Sequence, residues 1–134
     1  SLTASQRVSS QGMRVQNERL KIISQNIANA NSTGKSPTDQ PYRRKMPVFK
    51  TEYDQTLKAD VVKLDKIARD KSDFQLRYEP QHPAADESGY VRYPNIQIPL
   101  ETVDAKEAQR TYEANMSALE MARSNQVRLI EALK

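Results

Sequence analysis

Residues 105–133, AKEAQRTYEANMSALEMARSNQVRLIEAL, decide the fold. Ala105, Ala108, Tyr112, Asn115, Leu119, Ala122, Gln126, Leu129 and Leu133 recur at alternating steps of three and four, which places them along one side of an α-helix. No Pro or Gly interrupts the run. Pro99, just upstream, suits a first helical turn, where its missing N–H removes no intrahelical bond. The pattern predicts a helix from about Leu100 to Leu133. Met116, Met121, Val127 and Ile130 widen its apolar side beyond a two-stranded seam, so the helix is expected to meet more than one neighbour.

At the other end of the chain, from about Leu2 to Asn31, there is no Pro and a single Gly. Met13, Leu20 and Ile27 stand seven apart, with Ile23 and Ala30 at the intervening positions, the spacing of a helix with a narrow seam. Upstream the stripe thins to Ser9 and Gln6. Asn31-Ser32-Thr33-Gly34, followed by Pro37, supplies residues that tolerate a left-handed backbone and then break the helix, so the first helix is expected to stop there. Gln16, Asn115 and Gln126 interrupt the two stripes. Two readings stand for them: they face solvent, or they sit in a seam, where an amide without a partner in the wrong register would be penalised.

Between the helices, the prolines cluster from Pro37 to Pro99 and the pattern shortens. Val48-Phe49, Val61-Val62-Lys63-Leu64, Phe74 to Tyr78 and Tyr90 to Tyr93 read as strands or extended pieces, with Pro80, Pro83 and Gly89 marking a loop before the last of them. The fold class expected is mainly α with a small β or extended insertion. Its parts are an N-terminal helix over 1–33, a middle segment over 34–98 and a C-terminal helix over 99–134. The stretch from Lys50 to Asp73 carries no pattern that says how it folds.

Composition limits what such a chain can do alone. With 134 residues, 37% of them hydrophobic, no Trp and two Phe, a thick self-contained core is not expected, and burial against partners is. Zero cysteines exclude disulfides and thiol chemistry. No apolar run approaches the roughly 20 residues that cross a bilayer, and the opening Ser1-Leu2-Thr3-Ala4 has no secretory apolar stretch. The net charge of +4 is spread among acidic residues. The densest basic run, Tyr42-Arg43-Arg44-Lys45, is the only footprint for the alternative reading, a basic helical nucleic-acid-binding protein. Such a run is more often a solvated face or part of a protein interface. His82 stands near Glu79, Asp86 and Glu87 without any metal-ligand spacing, which favours a turn or a satisfied hydrogen bond. Three glycines and one histidine build neither a phosphate loop nor a triad, so no catalytic, cofactor-binding or metal residues are expected.

Ser24-Gln25-Asn26-Ile27-Ala28-Asn29-Ala30-Asn31-Ser32-Thr33 resembles the N-terminal motif of flagellar rod and hook proteins. Tyr78-Glu79-Pro80, His82-Pro83, Gly89-Tyr90-Val91 and Pro94-Asn95-Ile96 are similar to the middle motif of the proximal-rod branch of that family. Arg110 to Asn115 resembles the branch's C-terminal helix. The resemblance implies a structural subunit of the flagellar basal-body rod, lying in the periplasmic space and exported by the flagellar type III apparatus without a cleavable signal. Its terminal helices would pack as a coiled-coil-like pair in an assembled tube. The implied partners are other flagellar rod proteins, the rod adaptor FliE, copies of the chain itself and the export apparatus, with no nucleic acid. The subunit interface is expected to use Met13, Leu20, Ile23, Asn26, Ile27, Asn29 and Ala30, together with Ala108, Tyr112, Asn115, Leu119, Ala122, Gln126, Leu129 and Leu133.

Overall fold

The computed structural model describes residues 4–134. The elements follow in the order α1 (Ala4–Ala28), β1 (Lys45–Asp54), β2 (Ala59–Arg69), β3 (Gln75–Tyr78), β4 (Tyr90–Tyr93) and α2 (Ile98–Ala132). Both expected helices are present, and α2 begins within two residues of the expected start, with Pro99 in its first turn. The beginning of the expected first helix falls on residues 1–3, outside the described residues.

The end of α1 differs from the expectation. The helix stops at Ala28 and unwinds through tighter turns, with Ala30 donating to the Ile27 carbonyl at 3.2 Å and Ser32 to the Asn29 carbonyl at 3.1 Å. Asn29 Nδ2 donates to the Gln25 carbonyl at 2.9 Å. The Gln25 carbonyl thus accepts twice from Asn29, since it also takes the backbone N–H at 3.1 Å. Among the described residues only Lys58 and Gly89 have positive φ. Gly34 serves spacing instead, since a Cβ there would lie 2.2 Å from the Asp39 carbonyl oxygen.

All four extended runs are strands, arranged as two two-stranded sheets, β1 with β2 and β3 with β4. The first fills the stretch whose fold the pattern left open. Its turn is built by Asp54, whose Oδ1 accepts the N–H groups of Thr56 and Leu57 at 2.9 Å while its carbonyl accepts from Lys58 at 2.8 Å. Asp is suited to this because a short carboxylate can stand in for the backbone acceptors of a turn. In the second sheet the strands are antiparallel, with Gln75 opposite Tyr93 and Tyr78 opposite Tyr90.

The chain divides into two compact units. The first holds α1 as far as Leu20, Pro47–Lys66 and Ala105–Lys134. Here Gly12 lies against Asn115, where a Cβ would come within 2.8 Å of the amide, and Gln6 meets Gln126 at 3.4 Å, so the two helices run antiparallel. Val15, Val61, Ala108 and Leu119 are its buried apolar side chains. The second unit holds Lys21–Met46 and Ile67–Asp104, with Ile22, Ile23, Val91, Tyr93 and Ile96 buried. Each core is a handful of side chains, in keeping with the composition.

Candidate assembly surface

The second unit is organised by polar side chains. Asn26, on the last turn of α1 and almost fully buried, donates from Nδ2 to the Lys45 carbonyl and accepts the Lys45 N–H at Oδ1, both at 2.9 Å, while Tyr42 Oη donates to Oδ1 at 3.3 Å. Its amide thereby pairs with one residue of β1 as a neighbouring strand would, and fixes where the strand begins. One residue earlier, the Arg44 N–H donates to Asn95 Oδ1 at 2.8 Å. Asn95 Nδ2 in turn donates to the carbonyls of Asp70, at 2.9 Å, and Ser72, at 3.2 Å.

Arg44 extends its guanidinium toward three carboxylates: Nε pairs with Glu101, Nη1 with Asp70 at 3.5 Å and Nη2 with Asp104 at 3.8 Å. Burial opposes its charge, but the Glu101 hydrogen bond and the charges of Glu101, Asp70 and Asp104 outweigh that and raise its pKa. The Asp70 carboxyl is held below its ordinary value by the backbone and hydroxyl of Ser72 and by Arg44, against the opposing effect of burial. The Tyr93 hydroxyl donates to Glu79, and that bond, with burial and the Glu79 charge, pushes the phenol up against the pull of Arg77.

The basic run is therefore largely engaged inside the chain. Arg43 donates to the Asp70 and Ser72 carbonyls at 2.7 and 2.8 Å and lies over the Phe74 ring, 4.1 Å from its centroid. His82 is likewise satisfied in a turn: Nδ1 accepts the Ala84 N–H at 2.9 Å, and Nε2 lies 3.4 Å from Thr33 Oγ1. Among the described residues no three His, Cys, Asp or Glu are grouped as metal ligands.

The residues expected at an interface fall into three environments. Ile23, Asn26, Ala30, Ala108 and Leu119 are buried within the chain. Met13, Leu20, Ile27 and Asn29 on or just after α1, and Tyr112, Asn115, Ala122 and Gln126 on α2, are half-buried. Leu129 and Leu133 are exposed, at 62% and 79%. The α1 stripe is broader than its heptad, since Val15, Gln16 and Ile22 beside it are buried too. The polar interruptions are seated rather than solvated: Gln16 accepts from Arg19 at 2.8 Å, Asn115 donates to the Thr111 carbonyl at 3.1 Å, and Gln126 meets Gln6.

Comparison with known proteins decides what these surfaces belong to. Residues 7–34 match the family model for flagella basal body rod protein, and residues 87–132 match that for the C-terminal part of the flagellar basal body rod FlgEFG proteins. Flagellar basal-body rod protein FlgC of Agrobacterium fabrum is 41% identical over 133 residues, covering 99% of this chain and 96% of that one. This chain belongs to the FlgC family of flagellar basal-body rod proteins. The FlgC of Aquifex aeolicus is 36% identical over 127 residues, with 95% and 93% covered, and that of Salmonella typhimurium is 35% identical over 118 residues, with 87% of each covered.

A FlgC-family chain is a structural subunit of the basal-body rod and part of the motility machinery, not an enzyme, and it assembles with other basal-body components. No described helix is long and apolar enough to cross a membrane. In this rod-family chain the matched segments, 7–34 and 87–132, contain nearly all of α1 and α2. Sequence reasoning missed the residues that tie the second unit together: Asp70 and Glu101 had no visible role, and Asn95 stood out only as part of the Pro94-Asn95-Ile96 motif. A buried amide that serves three distant backbone groups leaves no periodic trace, so the motif itself was the available signal.

Proposed function

We propose that this chain lies in the proximal part of the rod, in the periplasmic space, where α1 and α2 pack against neighbouring subunits as coiled-coil-like seams of a tube. The tube transmits motor torque and encloses the export channel. Residues 1–33 and 99–134 are its axial segments, and 34–98 form the insertion between them. Delivery is by the flagellar type III apparatus without a cleavable signal, and the partners are other rod proteins, further copies of the chain and the rod adaptor FliE. Contacts of the head-to-tail kind generate helical arrays, which is the geometry a drive shaft needs.

The observation that carries the reading is the last third of α2. Leu129 and Leu133 continue the stripe on which Leu119 and Ala122 are buried or half-buried, yet they are exposed, as are Met121, Val127 and Ile130 around them. Burying each such Leu or Ile against a neighbour contributes roughly 1.5–3 kcal/mol, so order in these turns rises with assembly.

Electron cryomicroscopy of basal bodies purified from the source bacterium tests it. Density in the periplasmic rod that fits this sequence, with Met13 to Ala30 and Ala105 to Leu133 packed against other subunits, is the expected result. An intact rod whose subunits are all assigned to other chains would reject the placement.

A further inference from the structure

We propose that the cavity beside Arg44 is a socket for a basic side chain, Lys or Arg, of a neighbouring rod subunit, an inference that rests on the chain's place in the rod. The cavity measures about 360 Å³ and lies wholly within the second unit. Asp70, Glu101 and Asp104 line it together with Arg44, so three carboxylates face one guanidinium and two negative charges stay unbalanced. Glu101 is only 2% exposed, and while one of its oxygens takes Arg44 Nε, the other, Oε2, has no hydrogen-bond partner among the described residues. A buried carboxylate oxygen without a donor is costly, and a donor delivered on assembly removes that cost.

The walls narrow the chemistry of the donor. Leu100 and Val103 also line the cavity and are 59% and 61% exposed. Acid inside and exposed aliphatic groups beside it match a long cationic side chain, whose methylene stem lies on apolar surface while its head reaches the carboxylates. The carboxylates repel anions, and the described acidic groups are not arranged as metal ligands. The guanidiniums next in sequence to the lining residues are occupied elsewhere, Arg43 on the Asp70 and Ser72 carbonyls and Arg69 on the Arg43 carbonyl.

The test places a photo-crosslinking residue at Val103, which is exposed and outside the Arg44 hydrogen bonds, and in a second strain at Leu129. Basal bodies from both are irradiated and the joined peptides are sequenced. The expected product from Val103 joins a neighbouring subunit at a segment carrying Lys or Arg. Reversing that residue to Glu then lowers rod incorporation by about tenfold or more, the scale for breaking one buried charge pair, and Asp104→Lys in this chain recovers part of the loss. Crosslinks from Leu129 without any from Val103 would overturn the socket and leave the rod placement intact. So would a Val103 product without a basic residue, or a Lys→Glu change in the neighbour that has no effect, since a water or small cation then satisfies Glu101. Absence of the chain from rods in both strains, with the unsubstituted chain also absent, would reject the rod placement and the socket with it.

Discussion

Around Asn26 and Asn95 the chain meets its own polar needs, whereas from Met121 to Leu133 its larger apolar side chains stand more than half exposed. In the first region the single chain supplies the partners: a buried amide pairs with β1, a second amide gathers two carbonyls, and a guanidinium is shared among three carboxylates, with Glu101 Oε2 alone left without a donor there. The second is a helix whose apolar side stays exposed over its last turns. With the end of α2 covered in the rod, as proposed, substitutions in the two regions are expected to fail in different assays.

The largest effect is expected from Leu129→Asp combined with Leu133→Asp. Rod incorporation and spreading in soft agar should be lost, because two carboxylates would be buried in a seam between subunits, while unfolding of the purified chain shifts by less than about 0.5 kcal/mol, as for exposed sites. Normal motility would show that this end of α2 faces solvent in the rod. Leu119, buried within the chain, is the poorer probe, because its replacement disturbs the fold itself.

Asn26→Ala should do the reverse. It removes three hydrogen bonds and orphans the N–H and carbonyl of Lys45. At about 1–3 kcal/mol for each buried group left unpaired, urea unfolding should report a loss of about 3 kcal/mol. A loss well under about 1 kcal/mol would mean that water replaces the amide and that the network is less closed than its geometry indicates.

A pH series sharpens the same point. The folded-state pKa of Asp70 is lowered, so its ionised form contributes stability that is fully present above the unfolded value near 3.9 and is lost as pH falls through the folded value. Comparing urea midpoints at about pH 6 and about pH 3 should show a shallower acid decline in Asp70→Asn than in the unsubstituted chain. Identical declines would assign the acid sensitivity to other carboxylates. The smallest effect belongs to His82→Ala, which removes the acceptor of the Ala84 N–H and a long contact with Thr33 Oγ1. It should cost about 1 kcal/mol and leave motility intact; loss of motility would give the loop a role in assembly.

Much of this was legible in residue order. Three-four spacing from Ala105 to Gln126 marks the side of α2 that is buried or half-buried, because helical periodicity puts those residues on one face whatever they pack against. Alternation marked the four strands, and the lack of ligand spacing around His82 marked a turn. The heptad Met13-Leu20-Ile27 located α1 but only one flank of its buried face, since the helix is covered widely enough that Val15 and Ile22 are enclosed as well. The Arg43-Arg44 pair could not be told from a solvated basic patch, because a charge run looks alike whether its partners are water or carboxylates from distant parts of the chain.

By itself, then, the sequence determined two helices, their apolar sides, a short stranded insertion and membership of a family of rod subunits, all properties carried by local spacing and contiguous motifs. The tertiary structure decided the length of the β1–β2 hairpin, the end of α1 at Ala28, the employment of Arg44 by Asp70, Glu101 and Asp104, and the exposure of Leu129 and Leu133. The Arg44 contacts join residues 26 to 60 positions apart in the chain, and the exposure of a side chain depends on what packs over it; neither leaves a period to read.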